Sequence, residues 1–126
     1  MSEAPLALKY TKEHEWVATT DSPSKIRMGI TDFAQSALGD IVYVQLPNVG
    51  DVLVEGSVCG EIESTKSVSE LYSPVSGKVL SVNAALTANP EILNTDPYGA
   101  GWIAEVEVIG ESVGLISAQE YVQLTA

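Results

Sequence analysis

Glu61-Ile62-Glu63-Ser64-Thr65-Lys66-Ser67-Val68-Ser69-Glu70 reads as two strands meeting at a tight turn. Apolar β-formers flank it, with Val58 and Ile62 before and Val68 and Leu71 after, while small polar residues hold the centre. This profile predicts a hairpin over about residues 60–72 with Lys66 at or near its tip. An exposed tip gives a modifying enzyme access to the lysine amine. The flanking acids form an anionic collar, and Ser64, Thr65 and Ser67 leave room around the side chain. The same residues also fit a solvated turn lysine paired with Glu63 or Glu70, because surface ion pairs are common and contribute little.

Working outward, strand signals dominate. Ile26 to Ile30 is short and β-rich. In Ile41-Val42-Tyr43-Val44-Gln45-Leu46, strict alternation puts Val42, Val44 and Leu46 on one face, and Pro47-Asn48 ends the run. Trp102 to Ile109 alternates more cleanly, with Trp102, Ala104, Val106 and Val108 toward a core and Glu105 and Glu107 toward water. Short strands are also expected at 52–54, 58–62, 68–72 and 79–82. Gly, Pro and Asn separate them at intervals of roughly ten residues, the rhythm of an all-β sandwich or barrel.

Two helices are expected. One runs from Asp32 to about Leu38, with Thr31 as N-cap and Gly39 placed to end it. The other starts at Ser117-Ala118-Gln119-Glu120, a capping box, with Ile116 and Tyr121 at hydrophobic-staple positions. A faint repeat relates Gly39-Asp40-Ile41-Val42-Tyr43-Val44 to Gly77-Lys78-Val79-Leu80-Ser81-Val82, each followed by an apolar pair, Val52 and Val54 or Ile92 and Leu93. Read as a true repeat, it implies two similar half-sheets face to face, joined by residues 57–76.

The 126 residues suit a single domain, and 45% hydrophobic residues are enough for a core. Seventeen Asp and Glu against six Lys and Arg give a net charge of −11. Such a chain is repelled by nucleic acid and by anionic membranes, and either suits basic surfaces on other proteins or carries its charge for solubility alone. Cys59 is the only cysteine, so no internal disulfide can form. Its apolar strand, with no nearby base, points to a buried structural thiol. One His and one Cys do not make a zinc site from the usual ligands. Gly110-Glu111-Ser112-Val113-Gly114 matches G-x-S-x-G, but a nucleophile elbow needs a strand–turn–helix setting and a downstream His. The only His is His14, far upstream, where packing or hydrogen bonding is the expected role. The first residues lack a signal-peptide core and an Arg-rich transit sequence, and no stretch has transmembrane length.

The segment Glu63-Ser64-Thr65-Lys66-Ser67-Val68-Ser69-Glu70-Leu71-Tyr72-Ser73-Pro74-Val75-Ser76-Gly77 resembles the lipoylation segment of glycine cleavage H proteins. Further similar blocks occur in order: 9–17, 29–35, 38–42, 46–50 and 94–102, and together they span about residues 9–103, most of the chain. Thr65 and Ser67 depart from the Val and Ala that many of these proteins carry, without blocking access to Lys66.

The resemblance implies a mainly-β, lipoyl-domain-like sandwich (a barrel-sandwich hybrid) in one domain over 1–126, with a C-terminal helical addition at about 111–126. It implies a carrier, not an enzyme, with lipoate joined as an amide to Lys66. The arm would shuttle an aminomethyl group from P protein, the pyridoxal-phosphate-dependent glycine decarboxylase, to T protein, the aminomethyltransferase. Electrons would pass to L protein, the dihydrolipoamide dehydrogenase, and a lipoate ligase or transferase would load the lysine. Glu15 corresponds to the acid of the cleft that holds the loaded arm, with Glu70 assisting beside the hairpin. For both, a plain solvated acid is the alternative.

The expected setting is a bacterial cytoplasm, or a mitochondrial matrix after removal of a presequence, with a monomer when free. Rival readings are a lipoyl domain of another multienzyme complex, an unmodified interaction module and a small hydrolase using Ser112.

Overall fold

The computed structural model describes residues 4–22 and 24–125. The strands are β1 (Lys9–Tyr10), β2 (Glu15–Thr19), β3 (Lys25–Ile30), β4 (Ile41–Gln45), β5 (Val52–Leu53), β6 (Val58–Ser64), β7 (Val68–Tyr72), β8 (Gly77–Val82) and β9 (Ala104–Val108). The helices are α1 (Asp32–Leu38), α2 (Ala85–Ala88), α3 (Ile92–Thr95) and α4 (Ala118–Thr125). The strands form a six-stranded sheet, β1-β2-β3-β9-β8-β5, and a three-stranded sheet, β4-β6-β7. Every pairing is antiparallel. This is the sandwich expected from the strand rhythm.

The β-branched and aliphatic residues explain the layering. Ile26, Met28 and Ile30 of β3, Ala104 and Val106 of β9, Val79 of β8 and Leu53 of β5 are buried in one cluster. Ile41 and Val44 of β4, Ile62 of β6 and Leu71 of β7 enter the same cluster from the other sheet. Each side chain of this size contributes roughly 1.5–3 kcal/mol on burial. The core therefore fixes the register of both sheets, because a one-residue slip would turn every member outward.

A second cluster seats α4 on the β1–β2 hairpin through Tyr10, Trp16, Ala118 and Tyr121. Tyr10 exchanges backbone hydrogen bonds with Ile116 at 2.9 and 2.8 Å, which sets the approach of α4. The indole N–H of Trp16 donates to the Pro97 carbonyl at 2.9 Å. Gly29 faces this ring across the strand pair, and a Cβ there would lie 2.7 Å from it. Only glycine leaves room for the indole at that position.

The helix ends follow the sequence. Thr31 caps α1 by accepting from the Ala34 amide at 3.2 Å, and the Gly39 amide closes the helix on the Gln35 carbonyl. At α4 the box is reciprocal: the Glu120 amide donates to Ser117 Oγ at 3.2 Å, and the Ser117 amide to Glu120 Oε1 at 3.0 Å. The staple partner Ile116 packs against the cluster that holds Tyr121. Ser117→Ala is expected to cost about 1 kcal/mol. In a thermal melt that should read as a fall of roughly 3–5 °C.

Several expectations need correction. Val42 does not share a face with Val44. Ile41 pairs with Ser64 and Tyr43 with Glu63, so Val42 is the extra residue of a β-bulge and is exposed. Trp102 lies outside β9 and packs against the second cluster, with the Arg27 guanidinium 4.6 Å over its ring. The repeat holds for β4 and β8, which sit in opposite sheets, but fails beyond them because Ile92 and Leu93 belong to α3. Residues 57–76 are not a mere connector, since β6 and β7 make most of the smaller sheet. The short strands β1 and β2 and the single-turn helices α2 and α3 carry no periodic signal of their own. Glu13-His14-Glu15 masks the alternation in the first pair, and α2 and α3 lack side-chain caps.

No helix among the described residues is long and apolar enough to cross a membrane.

Candidate functional site

Lys66 sits in the connection between β6 and β7, at the outer end of the smaller sheet. Neither Thr65 nor Lys66 has a positive φ, so the glycine-dependent hairpin turns are not used here. Ser64 does the work instead. Its amide donates to the Ser67 carbonyl at 2.8 Å, and its Oγ accepts from the amides of Lys66 (3.2 Å) and Ser67 (3.1 Å). The Thr65 amide donates to the Asp40 carbonyl at 3.0 Å and ties the tip to the segment entering β4. The tip is thus rigid in its backbone, while Lys66 is exposed.

The Lys66 stem lies over Gly39, the residue that ends α1. A Cβ on Gly39 would come within 3.0 Å of Lys66 Cε, and Gly39 has φ +84. The positive φ favours glycine there, and its missing side chain lets the lysine stem lie close to the backbone. The predicted pairing of Lys66 with Glu63 or Glu70 does not occur. Among the described residues the one salt bridge joins Arg27 to Glu105 at 2.8 Å. The amine is therefore free to react, with no ion pair to break.

Strand register defines the outer face of the smaller sheet. Tyr43, Glu63 and Val68 form one row; Gln45, Glu61 and Glu70 form the next; Val58 and Tyr72 follow. Tyr43, Val58 and Val68 are about half exposed. Glu61 lies directly opposite Glu70, a like-charge cross-strand pair that costs stability instead of adding it. Along β7, Val68, Glu70 and Tyr72 share this face and lead away from the Lys66 tip. The Tyr72 hydroxyl donates to Glu70 Oε1 at 3.3 Å, and the Glu70 charge raises the phenol pKa.

That track ends in a cleft of about 330 Å3, whose walls include Thr11, Glu13, Glu15, Tyr72, Pro74 and Ile116. Glu15 was expected to be either a cleft acid or a solvated one; it is buried, with 2% of its surface exposed. Its Oε1 accepts from the Thr11 hydroxyl at 2.7 Å, and the Thr11 and Glu15 backbones also pair. Burial pushes the carboxyl up to about 7, helped by the Glu13 charge and opposed by hydrogen bonds from Thr11 and the Tyr72 backbone. A buried carboxyl with this balance is poised to take on charge when a cation arrives. Glu70 stays exposed outside the cleft and reaches it only through Tyr72.

The remaining candidates fall elsewhere. His14 Nδ1 bonds the Tyr121 hydroxyl at 2.8 Å and its ring packs on Phe33, the packing role expected of it. Cys59 is partly buried against the main core, and burial pushes its thiol up to about 12, far from a reactive thiolate. Ser112 lies in the loop between β9 and α4, not on a strand-to-helix elbow, and His14 is engaged with Tyr121. Another groove, about 540 Å3, runs along the six-stranded sheet past Trp16, Tyr98, Trp102 and the Arg27–Glu105 pair. The hairpin contributes nothing to it. Sequence patterning alone does not mark Tyr72 or Tyr121 as functional. Thr11, four residues before Glu15 in a polar stretch, was the one with a readable hint.

The family model for the glycine cleavage H-protein matches residues 8–126. The glycine cleavage system H protein of Mycolicibacterium vanbaalenii is 52% identical over 126 residues, covering 96% of this chain and 95% of its own. That of Thermobifida fusca is 54% identical over 121 residues, covering 96% and 94%. Among solved structures, the crystal structure of a glycine cleavage system H protein from Mycobacterium marinum matches with a TM-score of 0.87 at 43% identity. The match covers 96% of this chain and 98% of that one.

Proposed function

The chain belongs to the glycine cleavage H-protein family, a carrier component of the glycine cleavage system, and from that premise we propose that Lys66 bears its lipoyl group. The observation that carries this is the free, exposed amine on a hydrogen-bonded hairpin tip, continuous with a cleft that holds a buried carboxylate.

The residues present fit the group. Acylation removes the lysine charge, which no ion pair here depends on. From Lys66 Cα to a dithiolane ring is about eleven bonds, an extended reach of roughly 14 Å. From Val68 to Tyr72 along β7 is about 13 Å. Val68 is two residues beyond Lys66, so an arm laid on the outer face of β7 runs toward Tyr72 at the mouth of the Glu15 cleft.

When bound, the dithiolane supplies a sulfur that can carry a one-carbon amine and a disulfide that can be reduced and reoxidised. The chain's own residues do the rest. Glu15, oriented by the Thr11 hydroxyl, places a carboxylate where a cationic amine ends, and a charge-assisted hydrogen bond there holds it. Tyr72, Pro74 and Ile116 exclude water from that end, and Glu70 adds negative charge along the approach. No group on this chain needs to act as an acid, base or nucleophile toward substrate, so the role is that of a carrier and not an enzyme.

The partners follow from the same reading: glycine decarboxylase (P protein), aminomethyltransferase (T protein), dihydrolipoamide dehydrogenase (L protein) and a lipoate ligase or transferase. Tethering keeps the intermediate at high effective concentration for each in turn. The acidic face around Lys66 suits basic rims on such partners and a free monomer between encounters. The whole chain acts as one carrier domain, in a bacterial cytoplasm on this reading, with residues 111–125 as an addition that backs the cleft.

Intact-mass measurement on protein from cells supplied with lipoate tests the assignment. The expected result is one lipoyl amide per chain, mapped to Lys66 by peptide sequencing. An unmodified Lys66 in every preparation would leave an interaction module in its place.

A further inference from the structure

Glu15 is delivered to its cleft by a turn that the polypeptide does not favour by itself. Residues 11–14 connect β1 to β2, and His14 in that turn has φ +70, the left-handed region that costs a side-chain-bearing residue of its kind energy. Something must hold it. The His14 amide donates to the Thr11 carbonyl at 3.2 Å, a local bond, and the Thr31 amide donates to the His14 carbonyl at 3.1 Å. The side chain is held by a residue 107 positions away: His14 Nδ1 and the Tyr121 hydroxyl are 2.8 Å apart. The same hydroxyl lies 2.7 Å from Thr31 Oγ1, which also caps α1. The Tyr121 ring is itself clamped, stacked on Tyr10 at 4.7 Å with the planes 11° apart.

Resting on the cleft reading above, we infer that Tyr121 is a positioning residue for the Glu15 cleft, fixing the strained 11–14 turn from the C-terminal helix through its hydroxyl bonds to His14 and Thr31. Two features separate this from ordinary helix packing. The ring stack alone would seat α4, as it does in the second cluster, so the buried hydroxyl is not needed for that. And the hydroxyl grips the residue immediately before Glu15, where a small rotation of the backbone would swing the carboxyl out of reach of Thr11. The charged groups around the cleft, Lys12, Glu13 and Glu55, lie on its walls and do not perform this task. Glu55 is already committed to the amides of Val113 and Gly114.

The test uses Tyr121→Phe, which keeps the stack and removes only the hydroxyl. On the unmodified chain, the Glu15 carboxyl is followed by NMR titration. The expected result is a midpoint moved down from about 7 toward the ordinary carboxylate range, as the loosened turn admits water. On the lipoylated chain loaded with the aminomethyl group, ammonia release without T protein should rise roughly fivefold, the factor one buried hydrogen bond is worth. Reoxidation of the reduced arm by dihydrolipoamide dehydrogenase should stay at the parent rate. If Tyr121→Phe does not fold, His14→Ala keeps a side-chain-bearing residue at the same φ and deletes the other partner, and the same shifts are expected.

A Glu15 titration and a release rate unchanged from the parent in the folded variant would overturn the inference, even if its melting temperature fell. Glu15→Gln run alongside separates the two levels. Parent-like release in that variant would sink the cleft reading, and the titration of the unmodified chain would then decide the role of Tyr121 by itself.

Discussion

Lys66→Arg is expected to abolish lipoylation and every carrier reaction that depends on it, while leaving the fold intact. A guanidinium cannot accept the lipoyl amide, and its charge persists at all accessible pH. The loss should be complete within the limits of the assay, since the tether is absent and not merely weakened. Glycine–bicarbonate exchange with P protein measures it directly. The melting temperature should stay within about 2 °C of the parent, as befits a surface substitution within about ±0.5 kcal/mol. Lys66 forms no ion pair, and its stem only rests on Gly39, whose contact an arginine stem can reproduce. A large fall in melting temperature would show that the lysine serves the fold, and exchange activity at the parent level would move the attachment site elsewhere.

Glu15→Gln should have opposite effects on stability and on the arm. The folded-state carboxyl is raised to about 7, above the 4.5 of an ordinary glutamate. Below about pH 4.5 the group is neutral folded or unfolded and contributes no pH dependence. As pH rises from there to 7, the unfolded chain gives up a proton that the folded chain keeps, so stability falls. Above 7 the full cost of a buried carboxylate is present, up to about 3 kcal/mol. The glutamine variant, uncharged throughout, is therefore expected to be more stable than the parent at pH 8 and to lose the difference by pH 4. Chemical denaturation at the two pH values measures this. Under the proposed function, the same substitution lets the loaded arm leave its cleft, seen as faster ammonia release without T protein. A parent whose stability is flat between pH 4.5 and 7 would count against a buried, uncharged Glu15.

Much of this was legible in the chain, for identifiable reasons. The hairpin was readable because apolar residues bracket a small, polar centre, and α1 and α4 because Thr31, Gly39 and the Ser117–Glu120 pair mark their ends. Those signals are local, and local physics decided the outcome. Val42 was misplaced because a β-bulge is a property of two strands, and its extra residue is visible only once β4 is laid against β6. Strand β2 was missed because a buried Glu15 looks like a solvent residue in any hydropathy pattern. The resemblance could mark Glu15 as a cleft acid. It could not show the Thr11 hydroxyl beneath it or the Tyr121 hydroxyl behind it, contacts that join residues 4 and 107 positions apart.

The row of glutamates on the smaller sheet has a further consequence. β4 and β7 are the margins of that sheet, and such margins are where identical chains add to one another in fibrils and swapped dimers. A second molecule pairing its own β7 against the first would bring Glu70 beside Glu70, with Glu61 and Glu63 of β6 one strand behind on each side. Crowding of these carboxylates would penalise growth at each added copy. The exposed Glu70 on the β7 margin thus acts against self-assembly in a protein that, under the proposed function, leaves its Lys66 loop uncovered.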